Sequence, residues 1–152
     1  LEYEDTFFSA ADGTQLHGWY LPGDPGEPLV VFCHGNVGNI SHRVDNLRLL
    51  RQLGLAVFII SYRGYGRSEG TPSEDGTYSD MRGALSWLKD KGWRAERMIY
   101  FGRSVGAGVA LQLALEEPPG ALVLESPFTS ILALGRLGPR CPVRQLGEDR
   151  AA

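Results

Sequence analysis

The stretch from Met98 to Leu115 decides the fold and reads MIYFGRSVGAGVALQLAL. Its first four residues, 98–101, are apolar, and their β-branched and aromatic side chains are typical of a short buried strand. The next five residues, 102–106, fit the pattern G-x-S-x-G, and the apolar run at 107–115 predicts a helix. The stretch therefore predicts a strand, a sharp turn at a serine, and a helix.

A serine in this kind of turn is well placed for nucleophilic chemistry. Flanking glycines let the strand and helix backbones approach closely, and the turn presents the serine Oγ beside the first N–H groups of the helix. We therefore predict that Ser104 is a catalytic nucleophile, with Gly102 and Gly106 as the glycines of the turn. The backbone N–H of Val105 would form half of an oxyanion hole, the pair of N–H groups that stabilises a negatively charged oxygen.

The same glycines support two other interpretations. Gly102, Gly106 and Gly108 also spell G-x-x-x-G-x-G, a pattern of dinucleotide-binding dehydrogenases, and Glu125 ends the next strand, near where a ribose-binding acid would lie. In the second interpretation, the glycines only allow a helix to pack on a sheet, and the serine has no role. All three interpretations share a strand, a loop and a helix, so this stretch alone does not separate them.

The rest of the chain predicts an α/β fold with a doubly wound, mostly parallel sheet and an amino-terminal antiparallel hairpin. After the hairpin the strands are apolar without alternation, which favours a parallel sheet covered on both faces. One helix opens at Ser41 and has a core face that includes Leu53, while a second is predicted to start at a capping box with Thr71 as cap and Pro72 as first helical residue. The predicted strands are 3–10, 15–20, 29–33, 56–60, 98–101 and 121–124.

Length and composition limit the classes of function. The chain has 152 residues and a net charge of −3, which gives no reason to expect a nucleic acid partner. No apolar stretch reaches the roughly 18–20 residues that a membrane span needs. The three histidines and two cysteines show no metal-binding spacing, and no cofactor is expected. Because the chain starts at Leu1, we expect a processed or excised segment, with any targeting signal out of view.

Four motifs carry a resemblance to a known superfamily: HGN at 34–36, YRGYGRSEG at 62–70, FGRSVGAG at 101–108 and ESPFTS at 125–130. With these motifs in this order, the chain resembles the amino-terminal part of an α/β-hydrolase. Within that superfamily it is similar to bacterial esterase-like hydrolases and to eukaryotic membrane-associated palmitoyl-protein thioesterases. The resemblance covers about residues 3–131. It implies that Ser104 is the nucleophile and that the N–H groups of Asn36 and Val105 form the oxyanion hole.

The resemblance assigns the histidines to scaffold or surface positions, with His34 holding the loop that it begins. The sequence departs from the superfamily in two places. Ser61 replaces the aspartate that usually precedes Tyr-Arg-Gly, which concerns local hydrogen bonding. More seriously, the superfamily order is serine, acid, histidine, and no histidine follows Ser104. Glu125 ends the strand where some hydrolases carry the acid, but we interpret it as capping the sheet edge.

These departures predict a partial domain that ends after about the sixth strand. We expect residues 1–131 to form the partial α/β-hydrolase domain and residues 132–152 to be a loop or disordered tail. The strand at 121–124 would then be an open sheet edge, through which the chain could self-associate.

The sequence therefore leaves two main hypotheses for function. The first is a serine hydrolase that acts on small-molecule carboxylic esters or thioesters through an acyl-enzyme on Ser104. The second is a catalytically inactive hydrolase-like binding module. An NAD-dependent oxidoreductase is disfavoured because the glycine loop follows about the fifth strand instead of the first. The Tyr-x-x-x-Lys pair is also missing, since Leu85 and Trp87 lie four residues before Lys89 and Lys91.

Overall fold

The computed structural model describes residues 1–35 and 40–125. Asn36 and the predicted tail at 132–152 therefore lie outside the described residues. The described residues form six strands, three α-helices and two 3₁₀-helices, at Ile40–Arg43 and Ala95–Arg97. The strands are β1 (Glu4–Ser9), β2 (Gln15–Leu21), β3 (Leu29–Cys33), β4 (Ala56–Ser61), β5 (Met98–Arg103) and β6 (Ala121–Glu125), and the helices are α1 (Val44–Gln52), α2 (Glu74–Asp90) and α3 (Val105–Glu116).

All six described strands belong to one mixed sheet, in the order β1-β2-β4-β3-β5-β6. β1 pairs with β2, and β2 with β4, in antiparallel orientation, while β3, β4, β5 and β6 are parallel to one another. This confirms the predicted fold class, including the amino-terminal hairpin. Because the four parallel strands end at the same edge, the segments that follow β3, β4 and β5 meet there.

The two faces of the sheet bury separate sets of side chains. Val31, Phe58 and Tyr100 face the larger core, which α2 and α3 cover. Val30 and Phe32 face a smaller core on the side of α1. The uninterrupted apolar sequence of β3 thus serves both faces, as expected for a central parallel strand.

Two details of the predicted helices are wrong. The cap of α2 is Ser73, whose Oγ accepts a hydrogen bond from the Gly76 N–H at 3.0 Å, so Thr71 is not the cap. Serine and threonine are both favoured caps, and the path of the chain selects Ser73 here. Leu53 is 70% exposed because α1 already ends at Gln52. The helical spacing does not continue to Leu53.

Candidate active site

Ser104 lies between the last residue of β5 and the first residue of α3, in a strained backbone conformation. Its φ is 55° and its ψ is −121°, and it is the only non-glycine residue with positive φ in the described ranges. Residues in such regions cost about 1–3 kcal/mol and persist only where the surroundings hold them. Here the Ser104 N–H donates to the carbonyl oxygen of Glu125 at 2.9 Å, and the Ser104 carbonyl accepts from Ala107 N–H at 3.0 Å.

The glycines on either side of Ser104 lie where no Cβ fits. A Cβ on Gly102 would lie 2.6 Å from the Cα of Ala107, which is the contact between strand and helix that the sequence predicts. A Cβ on Gly106 would lie 1.9 Å from the carbonyl oxygen of Cys33. The second glycine is therefore required by the end of β3, a neighbour that sequence reasoning did not identify.

The chain that leaves β3 passes directly beside Ser104. β3 and β5 are paired in register, with Cys33 opposite Gly102. A Cβ on Gly35 would lie 3.6 Å from the Ser104 Cβ. The structure thus brings Gly35 and the serine turn together at the carboxyl ends of adjacent strands. Asn36, the other predicted donor of the oxyanion hole, lies outside the described residues.

His34 is a buried residue with both ring nitrogens close to main-chain carbonyl groups. Its Nε2 lies 2.9 Å from the oxygen of Ile60, and its Nδ1 lies 2.7 Å from the oxygen of Gly35. Burial lowers the pKa of His34, although these two carbonyl oxygens oppose the shift. The imidazole is buried between main-chain carbonyl groups at the ends of β3 and β4, in agreement with a scaffold role and not with that of a general base.

The other two histidines do not supply a base for Ser104 either. His17 is buried in β2 and its Nε2 lies 2.7 Å from Asp5 Oδ1. Since β4 and β3 separate β2 from β5, about 14 Å divides the two strands. His42 is exposed in the first 3₁₀-helix. Within the described ranges, no histidine forms a hydrogen bond with Ser104.

Arg63, which begins the loop after β4, is the centre of an ion-pair network that sequence reasoning missed. Its backbone N–H and its Nε donate to the two oxygens of Asp80 at 2.8 and 2.9 Å, and its Nη1 donates to Asp12 Oδ2 at 2.8 Å. Glu69, in the same loop, accepts a hydrogen bond from the Gly64 N–H with its main-chain carbonyl oxygen. Hydrogen bonds from Arg63 lower the pKa of Asp12, whereas burial raises the pKa of Asp80.

This network joins the β1–β2 turn, the loop after β4 and helix α2. Asp80 is completely buried, like Ala84 and Leu88, which follow it at helical spacing in α2. A charged residue on the apolar face of this helix was the sequence signal that could have revealed the network. The loop that follows Arg63 is thereby fixed at the same edge of the sheet as Ser104.

Neither a metal site nor a membrane-spanning helix is present among the described residues. No group of three or more histidine, cysteine, aspartate or glutamate side chains could hold a metal ion in that part of the chain. None of the described helices combines the length and the apolar character needed to cross a bilayer.

The fold and the strained serine turn define the class as an α/β-hydrolase, and comparison with known proteins agrees. The chain belongs to the family described as "Serine aminopeptidase, S33", an α/β-hydrolase family whose model matches residues 24–145. It is 44% identical to the uncharacterised protein Rv2307c of Mycobacterium tuberculosis over 146 residues, which are 93% of this chain and 52% of that protein.

Relatives with a described activity also match. The chain is 39% identical to the lysophosphatidylserine lipase ABHD12 of Bos taurus, covering 74% of this chain and 30% of that protein. The solved structure of the Pyrococcus furiosus esterase Pf2001 superposes with a TM-score of 0.65 and 26% identity, over 76% of this chain and 44% of the esterase. The chain thus spans about half the length of the relatives that it matches, or less, and its neighbours include esterases and a lipase.

Proposed function

We propose that this chain carries the nucleophile half of a serine hydrolase that acts on carboxylic esters or thioesters. The observation that carries the proposal is the strained conformation of Ser104, held between β5 and the first turn of α3 beside the chain that leaves β3. A strained serine at this strand-to-helix turn is typical of a nucleophile, because the turn presents its Oγ beside helix N–H groups.

In the proposed reaction, the Ser104 Oγ attacks the carbonyl carbon of the substrate and its proton passes to a base. The negative charge that develops on the carbonyl oxygen would be stabilised by the N–H groups of Val105 and Asn36. The tetrahedral intermediate then collapses: the bond to the alcohol or thiol breaks, the leaving group takes the proton, and an acyl-enzyme remains on Ser104. Water would release the acid in a second, equivalent step.

The base is the part of this mechanism that the described residues do not provide. His34 and His17 are held by other groups, and no histidine follows Ser104 in the sequence. We propose that the acid and the histidine of a triad belong to a longer natural polypeptide that contains this segment. This fits the superfamily order and the greater length of the relatives.

The lack of a base for Ser104 among the described residues favours a second candidate, a catalytically inactive hydrolase-like domain that binds a partner or ligand. A serine without a base is a weak nucleophile, although an oxyanion hole and substrate binding alone leave about 10³–10⁴-fold catalysis over water. The two candidates therefore differ in reactivity at Ser104 and not in fold. The family match gives no support to the NAD-dependent alternative.

Labelling with a fluorophosphonate probe tests the proposal, because the probe reacts with activated serines. We expect labelling of the longest natural polypeptide that carries this segment, slow or no labelling of the 152-residue chain alone, and none after Ser104→Ala. Ser86→Ala, at an exposed position in α2, is the matched control and should label normally. Labelling that survives Ser104→Ala would refute the assignment, and absence of labelling in the longer polypeptide would favour the inactive domain.

Substrate class is tested in parallel with a matched ester and thioester. Turnover of p-nitrophenyl butyrate and of a butyryl thioester should both depend on Ser104. The ratio of the two kcat/KM values would assign the preferred leaving group.

A further inference from the structure

Arg43 is a half-buried arginine near Ser104 to which the proposed mechanism gives no role. It is the last residue of the first 3₁₀-helix and lies directly before α1. Its side chain forms no capping hydrogen bond with α1, whose residues are all described. The guanidinium is therefore not needed to start the helix, and it lies instead beside the chain that leaves β3.

The surroundings of Gly35 define where the guanidinium lies. A Cβ built on Gly35 would lie 3.6 Å from Ser104 Cβ and 3.7 Å from Arg43 Nη2. Because both atoms contact the same point, Ser104 Cβ and Arg43 Nη2 are at most about 7 Å apart. A linker of about three to six covalent bonds spans such a gap. The nucleophile and the guanidinium are therefore close enough to contact one small substrate at the same time.

The elements that carry these two groups are fixed by packing. The Tyr62 hydroxyl donates to the main-chain carbonyl oxygen of His34 at 3.0 Å, which ties the chain before Gly35 to the end of β4. On the other side, Ile40 and Leu47 are buried in the smaller core and anchor the 3₁₀-helix and α1 there. The spacing between serine and guanidinium therefore depends on packed strands and helices.

The charge of Arg43 acts on buried groups around the site. Burial lowers the pKa of His34, and the nearby Arg43 charge lowers it further. Burial raises the pKa of Tyr62 well above its usual range, and the same charge opposes that rise. Arg103 and Glu125 also flank the serine turn, but their charges oppose each other, with 3.7 Å between Arg103 Nε and Glu125 Oε1. Arg43 thus gives this side of the site a positive charge.

We propose that Arg43 is a specificity-determining residue that binds a carboxylate or phosphate group of the substrate. The inference rests on the proposed serine hydrolase function and names its substrate class, esters that carry an anionic group about three to six bonds from the scissile carbonyl carbon. The planar guanidinium presents paired N–H donors that match the oxygens of a carboxylate or a phosphate. The anion belongs to the acyl part or to the alcohol part of the ester, and the experiments distinguish these two sources.

Arg43→Gln is the direct test, because it removes the charge and keeps a polar side chain. The first pair of esters is monomethyl glutarate and methyl 5-methylhexanoate, in which an isopropyl group replaces the carboxylate. We expect kcat/KM for monomethyl glutarate to fall by about 10–100-fold, as for the loss of a hydrogen bond between charged groups, and that for the neutral ester to change by less than about twofold. Arg43→Lys should keep part of the preference, since lysine keeps the charge without the fork.

A second pair of esters places the anion on the alcohol side. It consists of 1-butyrylglycerol 3-phosphate and 1-butyrylglycerol. A loss of selectivity confined to this pair assigns the anion to the alcohol part, and a loss confined to the glutarate pair assigns it to the acyl part. If Arg43→Gln leaves both selectivity ratios within about twofold of wild type, or lowers both esters of each pair equally, Arg43 has no role in specificity and the inference is refuted.

Arg48→Gln is the matched control. Arg48 lies in α1, its side chain is 59% exposed, and its Nη1 lies 3.9 Å from Asp45 Oδ1. The variant removes the same charge from the neighbouring helix without reaching the chain beside the serine. Its selectivity ratios should stay within about twofold of wild type. A shift as large as that of Arg43→Gln would show that the net charge of the protein steers the substrate, and the inference would fail.

A binding measurement separates this inference from the function on which it rests. Calorimetry with monomethyl glutarate and 1-butyrylglycerol 3-phosphate uses the Ser104→Ala variant, which cannot turn them over. Adding Arg43→Gln should raise the Kd of at least one of them about 10–100-fold, and adding Arg48→Gln should not. All measurements use the longest natural polypeptide that contains the segment, below the melting temperature of every variant. If wild-type Ser104 is unreactive but binding depends on Arg43, the hydrolase function fails and the anion site stands. If Ser104 is reactive but binding and selectivity ignore Arg43, only the inference fails.

Discussion

Replacing Gly106 with alanine is the sharpest test of how the serine turn is built. The added Cβ would lie 1.9 Å from the carbonyl oxygen of Cys33 and 2.6 Å from that of His34. Real Cβ atoms essentially never approach another heavy atom more closely than 3.0 Å, so a displacement of more than an ångström is needed. The obstacles are main-chain atoms at the end of a central strand, which cannot turn away as a side chain could.

The expected loss of stability follows from these contacts. Overpacking a core costs about 1–3 kcal/mol, and the rigid backbone favours the upper end, about 3 kcal/mol. Alanine has the better helix propensity by up to about 1 kcal/mol, which leaves a net loss of about 2 kcal/mol. For a domain of this size each kcal/mol lowers the melting temperature by about 2–4 °C, so we expect a fall of about 4–8 °C.

Gly35→Ala is the control for this measurement. Its added Cβ would meet its neighbours at 3.6–3.7 Å, which is ordinary contact, and Gly35 has no positive φ. Replacement at such a site should leave the stability nearly unchanged or raise it by about 0.4–1 kcal/mol. Thermal unfolding followed by tryptophan fluorescence measures both variants. A Gly106→Ala melting temperature within about 2 °C of wild type, or an equal loss in Gly35→Ala, would refute the packing argument.

Three further predictions concern the described polar contacts. Ser73→Ala should cost about 1 kcal/mol in urea unfolding, because it removes the cap of α2; an unchanged midpoint would contradict the cap. Asp80→Asn should cost about 3 kcal/mol, the low end for breaking a buried pair, because Asp12 still neutralises Arg63 in part; a loss below about 1 kcal/mol would show that the network is dispensable. The hydrogen bond with Arg82 lowers the pKa of Glu116 to about 2, below its unfolded value, so its stabilisation is complete above about pH 4.5 and is lost as the pH falls toward 2. Glu116→Gln should therefore lower the free energy of unfolding more at pH 6 than at pH 3, and an equal difference at both would contradict the shift.

Much of the fold could be predicted because its signals are local. The strand at Leu29–Cys33 was predicted with its observed bounds, since five successive apolar residues between turn residues leave few alternatives. The hairpin and the turn at Ser104 were also predicted from local signals. Local signals fail where two suitable residues compete, as Thr71 and Ser73 do for the cap of α2.

The candidate site, too, has residues that local sequence signals predicted and residues that they did not. Ser104 and its two glycines were predicted because strand, turn and helix lie within one continuous segment. The hydrogen bond of Tyr62 and the ion pairs of Arg63 were not predicted. The partners of these residues are distant in sequence: 28 residues separate Tyr62 from His34, and 51 separate Arg63 from Asp12.

By itself, the sequence determined the order of the elements, the class of fold and the serine at the turn. These depend on the apolar periodicity of each segment and on the conformations that glycine and serine allow. Only the tertiary structure decided that β3 lies beside β5, that Gly106 packs against the end of β3, and that Tyr62 holds the chain beside Ser104. The physical reason is that backbone carbonyls carry no sequence signal. Which N–H, hydroxyl or helix meets them is known only when the strands have been placed side by side.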